Sequence, residues 1–227
     1  MQFFEKYINS KFYAYTEYLF KIIWLSVLMF LTMILGLFVV GFPLAISAGV
    51  FTIAALKENK DLSVGSYYFQ ILKNIFKKPF KIWFFFLPLL MVLTFNLVFF
   101  QKGFEDFSWF YFISYMLTFL VFLITIIALF HALVITVIYD EKVITLVKYS
   151  YLLSVAFIVR GIIFILIAMG IVFLAIWIPI LGFVLGGFSF IIVVYYVLIG
   201  GYVRVPALNE DFKEKLEELN LFYRRGE

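Results

Sequence analysis

The sequence predicts an all-α fold: a polytopic membrane bundle of about six transmembrane helices with cytoplasmic amphipathic helices. Three observations predict it. The chain is 66% hydrophobic with a mean hydropathy of +1.10, against roughly half apolar for a soluble domain, so lipid must face much of it. The apolar residues fall in runs close to the ~20 residues that a helix needs to cross hydrocarbon. The charges fall in short clusters between the runs. Folding the runs into spans puts all but one of the 18 Lys and Arg on one side, with Lys102 alone opposite, beside Glu105 and Asp106. The positive-inside rule makes the crowded side cytoplasmic.

The elements follow in order. Residues 1–20 mix aromatic residues with Glu5, Lys6, Lys11 and Glu17 and do not read as a cleaved signal, so the first span is expected to stay as an anchor. That span runs from about Ile22 to Val40 and is broken at Gly41-Phe42-Pro43. Pro is tolerated in the first turn of a helix, where a missing N–H costs nothing, so Pro43 starts a second helix, Leu44 to Leu56. It is short for a span, and a re-entrant helix is the alternative. Lys57, Glu58, Lys60 and Asp61 end it. The third span is about Ile82 to Phe100, the fourth Trp109 to Tyr139, the fifth Gly161 to Ile178 and the sixth Leu181 to Val203, the last two joined by a turn at Pro179. The fourth is longer than a bilayer requires and should tilt or project. Six crossings place both termini in the cytoplasm of a cell with a plasma or inner membrane. Phe99, Phe100, Trp109, Phe110 and Tyr111 mark the outer rim, as aromatic residues do at an interface.

Two cytoplasmic segments precede spans, Asp61 to Lys78 and Asp140 to Val155. In the first, Tyr68, Ile71, Leu72, Ile75 and Phe76 share one face, with Gln70, Lys73, Asn74 and Lys77 opposite. In the second, Leu146, Tyr149, Leu153 and Ala156 oppose Lys148. Their similarity of layout suggests an internal duplication of the kind transporters carry. The chain divides into a transmembrane domain, 1–206, and a cytoplasmic amphipathic C-terminal helix, 207–227. Asn209 can cap that helix. Leu208, Phe212, Leu216 and Leu219 form its apolar stripe, and Lys213 and Glu217 an i,i+4 pair.

Composition excludes several chemistries. There is no Cys and one His, His131. Disulfides, thiolate catalysis, Cys metal sites and a multi-histidine centre within one chain are therefore ruled out. No catalytic residue, metal site or cofactor is expected, and the chain is not read as an enzyme. Net charge is +4, but the basic residues sit at span ends, so the expected partner is the lipid bilayer and its anionic headgroups, not nucleic acid. The chain has no GxxxxGK[ST] motif, so any ATP hydrolysis belongs to another subunit.

The candidate sites are the polar residues inside apolar runs. Asn96, Thr94, Thr125 and His131 are either interhelical hydrogen-bonding groups or the lining of a mid-membrane binding site. Lys73, Asn74, Lys77 and Lys148 are candidates for partner docking. Arg160 either snorkels to phosphate or pairs with Asp140 or Glu141. Gly182 and Gly186 form a GxxxG pattern for close helix packing, within the chain or in a homodimer. Gly41 to Pro43 forms either a plain hairpin turn or the open N-terminus of a broken helix facing an anion.

The order of these features resembles the YesL-like family of small bacterial integral membrane proteins. Pro43, Ala48, Gly49 and Leu56 look like its proline-led small-residue helix, and Phe76, Lys77 and Trp83 like its Asn-aromatic-basic segment followed by Trp. The chain departs from that pattern at Ile75, with Asn74 one residue earlier. The family has no established activity. Its members are often encoded beside carbohydrate transporters, so the resemblance implies an accessory component, possible membrane transporter subunits being its partners. A free-standing carrier is the alternative reading, and a membrane-embedded enzyme a third.

Overall fold

The structure, a computed structural model, describes residues 11–103, 109–178 and 189–225. Among the described residues the chain is helical throughout, with no strand. The helices are α1 (Lys11–Leu35), α2 (Gly41–Glu58), α3 (Val64–Ile75), α4 (Lys77–Lys102), α5 (Trp109–Ile138), α6 (Val143–Ala156) and α7 (Ile158–Trp177). They are followed by α8 (Ser189–Arg204) and α9 (Pro206–Arg225). Five of them, α1, α2, α4, α5 and α7, are long and apolar enough to cross a membrane, which makes this a membrane protein. The N-terminal part of the sixth predicted span, and with it Gly182 and Gly186, lies outside the described residues.

The first reversal comes earlier than Gly41-Phe42-Pro43. It occupies residues 36–40, where Leu37 (φ 51°) and Phe38 (φ 58°) take the left-handed conformation, at roughly 1–2 kcal/mol each for residues with a Cβ. The amide of Phe38 donates to the Met33 carbonyl at 2.7 Å and that of Val40 to Gly36 at 3.0 Å. Hydropathy cannot see this turn, because Leu37 to Val40 are as apolar as the helix before them. Two glycines decide it. A Cβ on Gly36 would lie 2.3 Å from the Gly41 nitrogen, and one on Gly41 would lie 2.3 Å from the Thr32 carbonyl oxygen.

The two long hairpins are staggered. Phe42, at the tip of α1–α2, has its ring 5.2 Å from Trp83 of α4 and 6.1 Å from Phe130 of α5. At 1.5 Å per residue, Trp83 is roughly 9 Å from the start of α4 and roughly 28 Å from its end. The α1–α2 hairpin therefore stops well short of the α4–α5 tip. Beyond that level α4 and α5 pack chiefly on each other and expose apolar side chains such as Phe95, Val98, Phe110 and Leu117. Below it lies one continuous core centred on α2, whose residues from Leu44 to Leu56 are all buried.

The two segments expected to be alike differ in place and character. The α3 helix packs on α1 and α2, burying Tyr67, Tyr68, Ile71 and Ile75, while Phe76 is 55% exposed because the helix ends before it. The α6 helix folds back along α5 instead. It buries Leu146, Val147, Ser150 and Ser154 and exposes Ile144, Leu152 and Val155. Buried serines opposite exposed aliphatics suit lipid rather than water. Each serine satisfies itself on its own helix, Ser150 donating to Leu146 and Ser154 to Ser150.

The last two helices close the bundle. The α8 helix contains a π-helical turn at Val194–Leu198 and ends in a 3₁₀ segment, Ile199–Arg204. The α9 helix begins at Pro206, three residues before Asn209, with proline at the favoured first position. Its buried stripe, Leu208, Phe212, Leu216 and Leu219, is continued by Tyr223. The stripe lies on the bundle itself: Phe212 stacks on Phe51 of α2 at 5.1 Å, and Tyr223 meets Tyr67 of α3 at 5.3 Å. Among the described residues its ion pair is Lys215–Glu218 at 2.5 Å, where the sequence suggested Lys213–Glu217.

Candidate functional site

The four intramembrane polar residues do not converge. Phe99 and Phe100 of α4 pack beside Tyr111 of α5, which sets the register of the hairpin. Counting back along both helices, Asn96 lies roughly 24 Å from the level of His131 and roughly 15 Å from that of Thr125. Thr94 is exposed and donates to the Leu90 carbonyl at 2.8 Å. Asn96 is half-buried and makes no side-chain hydrogen bond among the described residues. Thr125 is buried, donates to Val121 at 2.7 Å and shares a hydrogen bond with Tyr151 at 2.9 Å. A common polar lining is thus absent: two of the residues sit toward the α4–α5 tip of the hairpin, the other two in the packed core.

His131 is fully buried. Its Nδ1 is hydrogen-bonded to the Tyr202 hydroxyl at 3.0 Å, the two rings stack at 5.7 Å, and Phe157 packs beside both. Its Nε2 has no partner among the described residues. The arrangement fastens α5 to the end of α8. Nothing acidic stands against the ring, and no group of three or more metal-ligating side chains exists among the described residues.

Arg160 does not pair with Asp140 or Glu141. Its guanidinium donates to the Val197 carbonyl at 3.1 Å, within the π-helical turn whose irregular winding frees backbone oxygens. A Cβ on Gly201 would stand 3.2 Å from the Arg160 Cδ, so a glycine lets the side chain lie flat there. Asp140 pairs instead with Lys78, at 3.3 Å.

The start of α2 offers no anion site. The Gly41 amide donates to Gly36 and the Phe42 amide to Phe38, and Pro43 has no N–H. The donors that an N-terminus presents to an anion are therefore used or missing; Gly41 to Pro43 is the first turn of α2, and the hairpin turn itself lies at residues 36–40.

The docking candidates separate into two groups. Lys73, Asn74 and Lys77 are exposed together at the corner between α3 and α4. With Lys78 they rim a groove of about 650 Å³ whose floor is Leu44, Leu72 and Phe76, with Thr32 at its side. Lys148 is exposed elsewhere, on α6 among Ile144, Leu152 and Val155. The sequence alone could not assemble the groove, because Thr32 and Leu44 reach it from helices remote in sequence. Tyr202 and Tyr151 were missed as the partners of His131 and Thr125 for the same reason. A second cleft, about 300 Å³, opens on the other end of α2 between Lys57, Glu58, Tyr195, Asn209 and Lys213.

Comparison with protein-family models, with curated proteins and with solved structures finds no match to this chain. The functional reading therefore rests on the arrangement of its own residues.

Proposed function

We propose that this protein is an accessory, partner-binding component of a membrane transport assembly and is not itself a carrier or an enzyme. The supporting observation is the contrast between its polar groups. Those inside the apolar helices are either scattered or locked in packing, whereas Lys73, Asn74 and Lys77 stand free at the α3–α4 corner. A carrier needs a polar site at mid-depth, and Asn96 and Thr94 lie too far from Thr125 and His131 to share one. The association with transport comes from the resemblance to the YesL-like family.

In this reading the chain sits in the plasma or inner membrane with both termini cytoplasmic. The lysines at the start of α4 lie at the cytoplasmic interface, as positive-inside orientation requires. The partner meets the α3–α4 corner from that side.

Co-purification from the native membrane in mild detergent, followed by mass spectrometry, tests the proposal. Stoichiometric recovery of a membrane transporter subunit is expected, and it should be lost in the Lys73→Glu, Lys77→Glu double variant. Recovery of the chain alone, or as a homodimer, would overturn the accessory reading.

A further inference from the structure

We propose that the groove between α1, α2, α3 and the start of α4 binds one anionic phospholipid, an acyl chain lying on its floor and the headgroup phosphate on Lys73 and Lys77. Three independent features lead there. The floor is apolar, made by the buried Leu44 with Leu72 and Phe76. The rim is cationic: Lys73, Lys77 and Lys78 all border the groove, and no carboxylate lines it. Lys78 pairs with Asp140 at 3.3 Å, which leaves Lys73 and Lys77 as the groove's cations without an ion-pair partner among the described residues.

The surroundings make the occupant amphiphilic. The turn that follows Thr32 exposes Leu35, Leu37 and Phe38, and α3 exposes Phe69, one helical turn before Leu72 and Lys73. The opening thus lies on a boundary between an apolar surface and a lysine cluster, the position of a lipid headgroup at a bilayer interface. A free inorganic anion would leave the floor unfilled; a neutral lipid would leave the lysines unpaired. Thr32 cannot serve the headgroup: its hydroxyl donates to Leu28 and accepts from Tyr68. Asn74, on the same rim, has an amide free to donate to a phosphate or glycerol oxygen.

The lipid site goes beyond the accessory role proposed above and stands without it, because it can be read on the isolated protein. If both hold, the bound lipid forms part of the surface that the partner meets.

The test reconstitutes the full chain in nanodiscs containing both phosphatidylglycerol and phosphatidylcholine and counts retained lipid by native mass spectrometry. Phosphatidylglycerol should be retained in preference. The Lys73→Gln, Lys77→Gln double variant should lose that preference by about thirty-fold, the change that two lysines near an anionic headgroup supply. Both lysines are exposed, so the fold should survive their replacement. Lys213→Gln, on α9, should leave the preference unchanged. Leu72→Trp, which fills the groove and keeps the lysines, should reduce retention of both lipids. Equal retention of the two lipids, an unchanged preference in the double lysine variant, or displacement of the lipid by soluble glycerol phosphate would each overturn the proposal. None of these outcomes bears on co-purification of a transporter subunit, so the two readings fail separately.

Discussion

The hydroxyl of Tyr202 lies 3.0 Å from Nδ1 of His131, joining the last turn of α8 to the middle of the buried half of α5. Both side chains are buried, so neither can turn to water if the other is removed. Tyr202→Phe should destabilise the protein by about 1–3 kcal/mol, the cost of leaving a buried polar group unsatisfied. Combining it with His131→Leu should cost less than the sum of the single changes. Thermal unfolding in detergent across the double-mutant cycle measures the coupling, and strict additivity would show that the pair contributes nothing.

The α1–α2 hairpin should be intolerant of one methyl group. Gly41→Ala places a Cβ against backbone atoms of Thr32 and Met33, which cannot rotate away. A loss of about 3 kcal/mol or more is expected, at the upper end of overpacking costs. Gly170→Ala on α7 meets nothing within 4 Å and should be neutral or stabilising by about 0.5–1 kcal/mol. Comparing the melting temperatures of the two variants in the same detergent checks both.

The C-terminal helix should unfold with the bundle. Phe212→Ala removes the ring stacked on Phe51 and should cost about 3–5 kcal/mol. Glu217→Ala, on the exposed face of α9, should stay within about 0.5 kcal/mol. Tail proteolysis that is equally slow in both variants would contradict this view of α9.

Stability should fall in alkali. Burial pushes the Tyr67 phenol well above its ordinary 10.0, and the nearby Glu58 carboxylate adds to the effect. Burial and then the hydrogen bond to Asp211 act in the same direction on Tyr139. Between the unfolded and folded values the native chain holds protons that the unfolded chain has released. This contribution is complete below about pH 10 and is lost as pH rises above it. The melting temperature should therefore decline above about pH 10, and less steeply in Tyr67→Phe. Tyr67 donates to Asn220 at 2.7 Å, so that variant should start from a lower value at neutral pH.

Much of this architecture is legible in one dimension. Helix class and the apolar stripe of α9 follow from run length and 3.6-residue periodicity, which are local properties of the chain; the sequence expected six spans, and five helices among the described residues are long and apolar enough to cross. The sequence also marked Lys73, Asn74 and Lys77 as exposed and Asn96 and His131 as the unusual polar residues. Only the tertiary structure decided which of these meet. The turn at residues 36–40 depends on two glycines touching across a hairpin. The partner of His131 depends on a tyrosine 71 positions away. The outward face of α6 depends on how the helix folds back along α5, which buries Ser150 and Ser154 and leaves Ile144, Leu152 and Val155 exposed. Each is a packing relationship between segments distant in sequence. Hydropathy measures what a residue prefers to touch, and only the fold determines what it touches.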